Sequence, residues 1–167
     1  MVKLEMIFDY VCPYCLKGYN DLLAVLPDFP GVEMQWRPCE INPRTEARRR
    51  MYSDLCIRGM FFAQENGVDL HKYHRKLFAA FHENVVNVED VNILADYLKD
   101  VLDANAFRTA LNSGKYVKEL EAANAYAVAS GAEIVPAFRC NGRKLDSAPG
   151  IGVTREQLKR FLSTITA

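Results

Sequence analysis

The spacing of the apolar residues changes twice along the chain, and this change is the feature that most constrains the fold. Leu4, Met6 and Phe8 are apolar residues at every second position, which is the period of a β-strand. Helical spacing begins at Pro13, a residue that helices tolerate in their first turn, and alternation returns over residues 32–38. A strand, a helix and a strand joined by short links predict a parallel βαβ unit.

The chain then keeps helical spacing for about 85 residues. Five helices are predicted in this stretch. The third is predicted to span Val91 to Leu102, with Asn87 capping its N-terminus. The fourth and fifth are predicted to end at Gly114 and Gly131, because glycine is the commonest residue just beyond a helix C-terminus.

The strand period returns over residues 134–140, and the Asn141-Gly142 pair that follows favours a two-residue hairpin turn. Thr154 and Gln157 have the spacing of a capping box before a final amphipathic helix. The order βαβ, helices, ββα predicts an α/β fold in which both ends of the chain build one sheet. We therefore predict an α/β domain formed by residues 1–45 and 131–167. Residues 46–130 are predicted to form an inserted helical subdomain, whose last helix packs back on that domain.

Composition and charge argue against several classes of function. The 21 Lys and Arg residues balance the 21 Asp and Glu residues, so no net field favours nucleic acid or an anionic membrane. Arg44 and the run Arg48–Arg50 are interpreted as a solvated helix face. No apolar run reaches the roughly 20 residues that span a bilayer, and the N-terminus lacks the pattern of a signal peptide. Five cysteines, an odd number without the spacing of a disulfide scaffold, favour a reducing, cytoplasmic location.

The sequence Cys12-Pro13-Tyr14-Cys15 lies where the first strand passes into the first helix. Cys12 is expected at or beside the helix N-cap, where unpaired backbone N–H groups and the helix dipole lower the pKa of a thiol. Cys15 lies one helical turn later on the apolar face, where burial raises the pKa of a thiol. An exposed thiol of low pKa beside a buried thiol of high pKa is the arrangement that dithiol–disulfide exchange requires.

Two other interpretations of this cysteine pair stay open. The first is half of a zinc site, but a structural zinc needs four ligands and usually a second pair. The other potential ligands are scattered along the chain: Cys39, Cys56, Cys140, His71 and His74. The second is a chance pair of buried cysteines, although the preceding strand and the first-turn proline place the pair well for exchange. Cys39, Cys56 and Cys140 are themselves interpreted as structural residues.

Three segments, in the same order along the chain, resemble the DsbA family of proteins, especially its FrnE-like branch. The segment FDYVCPYCLKGY resembles the block that carries that branch's aspartate, C-P-x-C motif and glycine. The segment WRPCEINP resembles the stretch after its second strand, and IVPAFRCNGR resembles its Val–cis-Pro strand and hairpin. The related kappa-class glutathione transferases and hydroxychromene-carboxylate isomerases share the likeness. The resemblance implies a thioredoxin fold with a helical insertion.

The resemblance also implies roles for individual residues. Cys12 is expected to be the nucleophile, Cys15 the resolving thiol, and Pro136 a cis-proline that faces the disulfide. The backbone of Val135 is expected to pair with a substrate chain as an added strand would. Asp9 stands at the position of the family's aspartate, where it either orients the active-site loop or caps an ordinary turn.

The sequence departs from the family at Tyr14 and at residues 147–150, among other places. Tyr14 replaces the histidine of periplasmic DsbA, and the Pro13-Tyr14 dipeptide is the one familiar from glutaredoxins. We therefore predict a reduction potential of about −200 to −230 mV, in the glutaredoxin range. Both residues of the dipeptide are predicted to contact the substrate. Residues 147–150, Ser-Ala-Pro-Gly, stand where the branch has Gly-Ala-Gln.

The favoured function is thiol–disulfide exchange with substrate polypeptides or with small thiols and disulfides. It requires neither a metal nor an organic cofactor, and glutathione is a candidate co-substrate. One alternative is a glutathione-dependent isomerase or transferase of the kappa or 2-hydroxychromene-2-carboxylate type, which commonly has serine in place of Cys12 and does not need Cys15. Another is a thioredoxin-fold binding module without catalysis, which predicts that Cys12 is buried or has an ordinary pKa. We expect no nucleic-acid or membrane partner, and a homodimer stays an open alternative.

Overall fold

A computed structural model describes residues 1–43 and 51–167 of the chain. The predicted helix face at Arg44 and Arg48–Arg50 lies outside the described residues. Within them the chain forms four strands, seven α-helices and one 3-10 helix. The elements are β1 (Val2–Phe8), α1 (Pro13–Val25), the 3-10 helix (Leu26–Asp28), β2 (Val32–Pro38), α2 (Asp54–Glu65), α3 (Leu70–His82), α4 (Val91–Tyr97), α5 (Ala104–Asn112), α6 (Val117–Ala129), β3 (Ala137–Cys140), β4 (Arg143–Leu145) and α7 (Arg155–Ile165).

The described strands form one sheet in the order β2-β1-β3-β4. Strands β1 and β2 pair in parallel, with Val2 opposite Val32, as the βαβ pattern predicted. Strand β3 pairs antiparallel with β1, and the Asn141-Gly142 turn returns the chain into β4. Both turn residues have positive φ, 49° and 76°, as a tight hairpin turn requires. Both ends of the chain therefore build one sheet, which confirms the predicted α/β fold.

The chain divides into two compact units. The first, here the sheet unit, comprises residues 1–39 and 126–167, and the second, here the helical unit, comprises residues 40–125. The predicted boundaries at residues 45 and 131 stay a prediction.

Helices α1 and α7 pack together on one face of the sheet unit. The Thr154–Gln157 capping box is present at the start of α7, as predicted. Asp21 on α1 is 7% exposed, and its carboxylate accepts hydrogen bonds from Lys17 Nζ at 2.6 Å and from Arg155 Nε at 3.1 Å. This buried carboxylate therefore joins α7 to the helix that carries the cysteine pair.

The opposite face of the sheet carries charged side chains beside the buried Ile7 and Ala137. Side chains alternate between the two faces along a strand, so Glu5 and Met6 of β1 point in opposite directions. Glu5 accepts hydrogen bonds from Arg37 of β2 and from the hydroxyl of Tyr126 on α6. Arg139 of β3 donates to the carbonyl of Ser130, just beyond the end of α6. These bonds hold the end of α6 against this face.

The helical unit has its own core, formed largely by α2, α3 and α5. Gly59 on α2 lies so close to Phe107 that a Cβ there would come within 2.7 Å of the ring. The Tyr73 hydroxyl donates to the carbonyl of Cys56 at 2.6 Å. The buried Arg58 donates to the carbonyl of Leu111 at 2.7 Å, so its guanidinium satisfies an acceptor at the end of α5. Both of these polar side chains therefore satisfy a backbone acceptor in this core.

Three sequence predictions about element ends are wrong. Helix α4 starts after Asp90, not Asn87, because the Asp90 carboxylate accepts from the backbone N–H of Asn92 at 2.8 Å. It ends at Tyr97, and the apolar residues that continue its spacing to Leu102 lie in turns. Strand β3 begins at Ala137, not at residue 134, because Pro136 has no N–H to donate to the neighbouring strand.

Candidate active site

Cys12 occupies the N-cap of α1. Its backbone is extended, with φ −85° and ψ 119°, and Pro13 follows as the first helical residue. The carbonyl of Cys12 accepts the N–H groups of Cys15 at 3.1 Å and Leu16 at 3.2 Å, which are the first bonds of the helix. Proline fits this position because its missing N–H has no acceptor in the first turn. The strand-to-helix junction therefore presents the thiol of Cys12 where the helix has unpaired N–H groups.

The pKa of Cys12 is lowered from its ordinary value of 9.0 to about 7. The largest cause is a hydrogen bond from the side chain of Cys15, and the backbone N–H groups of Cys15 and Tyr14 add to it. Burial and the negative charge of Asp9 oppose this lowering. Cys12 therefore has substantial thiolate at neutral pH, and the neighbouring thiol contributes more to it than the helix N–H groups emphasised in the sequence prediction.

Cys15 lies on the buried face of α1, with its side chain 0% exposed. Burial raises the pKa of its thiol well above 9.0, and the hydrogen bond to Cys12 raises it further. The two thiols thus have opposite pKa shifts, in the directions that the sequence predicted. One expectation is wrong: Cys12 is buried rather than exposed, with 5% of its surface accessible. Val135 contributes to this burial, since its carbonyl oxygen accepts a hydrogen bond from the Cys12 Sγ–H at 3.8 Å.

Pro136 follows Val135 through a cis peptide bond, as the resemblance implied. Gly18 on α1 makes room for the proline ring, because a Cβ at Gly18 would lie 2.9 Å from Pro136 Cγ. The hydroxyl of Ser147 donates to the carbonyl of Pro136 at 2.5 Å. The segment that faces Cys12 is therefore held from two sides, by helix α1 and by the loop after β4.

Asp9 lies in the loop between β1 and α1 and is fully buried. Its carboxylate accepts the N–H of Val11 at 3.4 Å, and its carbonyl accepts the N–H of Cys12 at 3.2 Å. Asp9 therefore shapes the loop that leads to the reactive cysteine. Both of the roles expected for it, orienting the loop and capping a turn, agree with these bonds.

Pro13 and Tyr14 are the exposed residues of the C-P-Y-C segment. The hydroxyl of Tyr14 donates to the carbonyl of Gly150 at 3.0 Å. Gly150 and Ser147 belong to the loop between β4 and α7, and the sequence analysis assigned neither of them to the site. No local pattern links these positions to the cysteine pair, since they contact its neighbours Tyr14 and Pro136 only through long-range packing.

The remaining cysteines are not part of this pair. All five cysteines of the chain are buried thiols. Among the described residues, no group of three or more His, Cys, Asp and Glu side chains is placed to hold a metal ion. Within the same ranges, no helix combines the length and the apolar character that a membrane span needs.

Comparison with solved structures supports the same fold. The chain superposes on a probable DsbA oxidoreductase of Streptomyces coelicolor with a TM-score of 0.79, at 20% identity over 99% of this chain and 90% of the other. It superposes on the DsbA of Pseudomonas aeruginosa with a TM-score of 0.75, at 21% identity over 97% of this chain and 80% of the other. The cytosolic disulfide reductase DsbM of Pseudomonas aeruginosa gives 0.71, at 15% identity over 97% of both chains.

Sequence comparison identifies the family. The protein YwbO of Bacillus subtilis is 25% identical, over 69% of this chain and 74% of its own length. The sequence profile of the DSBA-like thioredoxin domain matches residues 3–160. Assignment to the FrnE-like branch stays a prediction. Since the profile covers nearly the whole chain, this protein belongs to the family of DSBA-like thioredoxin domains.

Proposed function

We propose that the protein is a thiol–disulfide oxidoreductase whose reactive groups are Cys12 and Cys15. The observation that carries the proposal is the asymmetry of the pair. Cys12, at the helix N-terminus, has a pKa of about 7, whereas Cys15, buried behind it, has a pKa well above 9.0. At neutral pH a substantial fraction of Cys12 is the nucleophilic thiolate, whereas Cys15 stays protonated.

In the reducing direction, the Cys12 thiolate attacks one sulfur of a substrate disulfide. A bond forms between Cys12 Sγ and that sulfur, the substrate S–S bond breaks, and the other substrate sulfur leaves as a thiolate that takes up a proton. Cys15 then loses its proton and attacks Cys12 Sγ, which releases the second substrate thiol and leaves the Cys12–Cys15 disulfide. The substrate gains two electrons and two protons, and the dithiol loses them. The oxidising direction is the reverse of these steps.

Val135 is proposed to guide the substrate. Its carbonyl oxygen is 3.8 Å from Cys12 Sγ, so a chain that pairs with this backbone would bring its own sulfur close to Cys12. Pro13 and Tyr14 flank the thiol on the exposed side and are proposed to contact the same substrate. We propose substrate polypeptides and small disulfides as the two classes that fit, with glutathione among the small ones and without a metal or organic cofactor.

The direction of exchange follows from the reduction potential and the compartment. We propose a cytoplasmic location, supported by the similarity to the cytosolic disulfide reductase DsbM. A dithiol of about −200 to −230 mV in a cytosol poised near about −280 to −320 mV stays reduced. In that setting the protein would act as a reductase.

The experiment is a redox equilibrium in glutathione buffers, with the Cys12–Cys15 disulfide followed by mass after acid quenching and alkylation. We expect a reversible two-electron transition in the wild type and none in Cys12→Ser. If the wild type forms no intramolecular disulfide at any ratio of reduced to oxidised glutathione, the proposal is wrong. Stable retention of reduced glutathione without a disulfide would favour the glutathione-dependent isomerase or transferase instead.

A further inference from the structure

The loop between β4 and α7, residues 146–154 and here the β4–α7 loop, packs against the side chain of Tyr14. The Tyr14 side chain is 40% exposed, yet its hydroxyl donates to the carbonyl of Gly150 at 3.0 Å. Gly152 lies against the ring, and a Cβ at this position would lie 3.2 Å from Tyr14 Cδ1. The loop therefore contacts both the end and the side of the aromatic ring.

The loop holds its own shape at this point. The N–H of Ala148 donates to the carbonyl of Gly152 at 3.1 Å, and the N–H of Gly152 donates back to Ala148 at 2.9 Å. Gly150 and Gly152 have φ of +71° and +77°, a conformation that glycine adopts without strain. Because these reciprocal bonds close the loop on itself, the surface that meets Tyr14 is set before any substrate is present.

The same loop contacts two residues that neighbour Cys12 in the fold, Tyr14 and Pro136. On one side it holds Tyr14, whose backbone N–H is one of the donors that lower the pKa of Cys12. On the other side Ser147 donates to the carbonyl of Pro136 at 2.5 Å, next to the Val135 carbonyl that accepts from Cys12. A shift of this loop would thus move groups on both sides of the reactive sulfur.

We propose that the β4–α7 loop is a positioning element for the dithiol, which acts through Tyr14 to set the balance between the two thiols and the Cys12–Cys15 disulfide. Tyr14 and Gly152 are positioning residues in this account, since neither side chain exchanges sulfur. The inference rests on the proposed function. It assigns to this loop a part of the control of the reduction potential, which would otherwise be attributed to the Pro-Tyr dipeptide alone.

The direction of the effect follows from the state that the Tyr14 N–H stabilises. It donates to the thiolate of the reduced protein, so a looser Tyr14 makes the reduced form less stable. The disulfide is then favoured, and the potential becomes more negative. A hydrogen bond like that between Tyr14 and Gly150 changes an equilibrium constant by about fivefold. Its loss can therefore change the dithiol–disulfide equilibrium by about fivefold at most. We therefore expect a two- to fivefold shift towards the disulfide, about 10 to 20 mV.

The test measures the equilibrium constant between glutathione and the Cys12–Cys15 pair in four variants. Tyr14→Phe removes the hydrogen bond and keeps the ring, whereas Gly152→Ala pushes a methyl group against it. Tyr97→Phe is the matched control for the first, because its hydroxyl donates to the Lys76 carbonyl, also at 3.0 Å. Gly114→Ala is the control for the second, because Gly114 has φ +78° but an added Cβ there would meet no atom within 4 Å. Tyr97→Phe thus measures the effect of losing a tyrosine hydroxyl elsewhere in the protein, and Gly114→Ala measures the effect of alanine at a positive φ.

The inference is supported if Tyr14→Phe and Gly152→Ala shift the equilibrium two- to fivefold towards the disulfide while both controls stay at the wild-type value. It is wrong if the wild type shows a normal transition and Tyr14→Phe matches it, or if the controls shift as far as the test variants. A wild type without any transition refutes the proposed function and this inference together. If Gly152→Ala does not fold, Tyr14→Phe decides, since it adds no atoms.

Discussion

The acidity of Cys12 depends on the side chain of Cys15 more than on any other group, so Cys15→Ala is the sharpest perturbation of the site. The hydrogen bond from Cys15 is the largest cause of the pKa of about 7. The variant keeps the backbone N–H groups of Tyr14 and residue 15, which also lower this pKa. We therefore expect the pKa of Cys12 to rise in the variant, without a full return to its ordinary value of 9.0.

The rise predicts two opposite changes in reactivity. At pH 7 a thiol with a pKa of about 7 is about half thiolate, whereas a pKa of about 8 leaves about a tenth. A thiolate becomes about threefold more nucleophilic for each unit by which its pKa rises, because the Brønsted slope is about 0.4–0.5. Each unit by which the pKa rises should therefore make Cys15→Ala react about twofold more slowly than the wild type at pH 7 and about threefold faster at a pH where both thiols are ionised. The two pH profiles cross.

The assay is the rate of alkylation of Cys12 by iodoacetamide as a function of pH, with Cys12→Ser as the blank for the other thiols. Cys56→Ala is the matched control, because it makes the same chemical change at another cysteine that is 0% exposed, in the helical unit. Its profile should overlay that of the wild type. If the pH profiles of the wild type and Cys15→Ala coincide, the Cys15 side chain does not lower the pKa of Cys12. A wild-type midpoint near pH 9 would show that the pKa of Cys12 is not lowered at all.

Two further predictions concern the packing that holds the pair in place. Gly18→Ala places a methyl group 2.9 Å from Pro136 Cγ, and it should lower the free energy of unfolding by about 1–3 kcal/mol in denaturant titrations. Gly31→Ala, with no atom within 4 Å of the added Cβ, is the control, and an equal loss in both would contradict the packing argument. Asp21→Asn weakens the contacts to Lys17 and Arg155 and should cost about 1–2 kcal/mol, because the carboxylate is buried while its partners are half-exposed. Asp28→Asn, at an exposed 3.6 Å ion pair, should change stability by less than about 0.5 kcal/mol, and a similar effect of both variants would show that the buried pair is not special.

Local sequence signals predicted where several helices and the hairpin begin. Pro13 marked the first turn of α1, Asn141-Gly142 marked the hairpin, and Thr154 marked the start of α7, because each satisfies backbone requirements within a few residues of itself. The predicted cap of α4 was wrong because asparagine and aspartate both accept the first N–H groups of a helix. Asn87 and Asp90 are both capping residues, and only the structure shows that the Asp90 carboxylate accepts the first N–H groups of α4.

The candidate site was predicted only in part, for a physical reason. Cys12 and Cys15 belong to one helical turn, so their spacing alone indicates an N-terminal and a buried thiol. The contact between Tyr14 and Gly150 joins residues 136 positions apart, and nothing in either segment specifies the other. The burial of Cys12 has the same origin, since Val135 reaches it only after the chain returns to form β3.

Trapping of the mixed disulfide distinguishes the attacking thiol from the resolving thiol. Cys15→Ser and Cys12→Ser are each mixed with oxidised glutathione, quenched in acid and analysed by intact mass and peptide mapping. We expect one glutathione per chain on Cys12 in Cys15→Ser, and no comparable adduct on Cys15 in Cys12→Ser. An adduct on Cys15 in place of Cys12, or an adduct-free Cys15→Ser protein, would contradict the assignment of Cys12 as the attacking thiol and Cys15 as the resolving one.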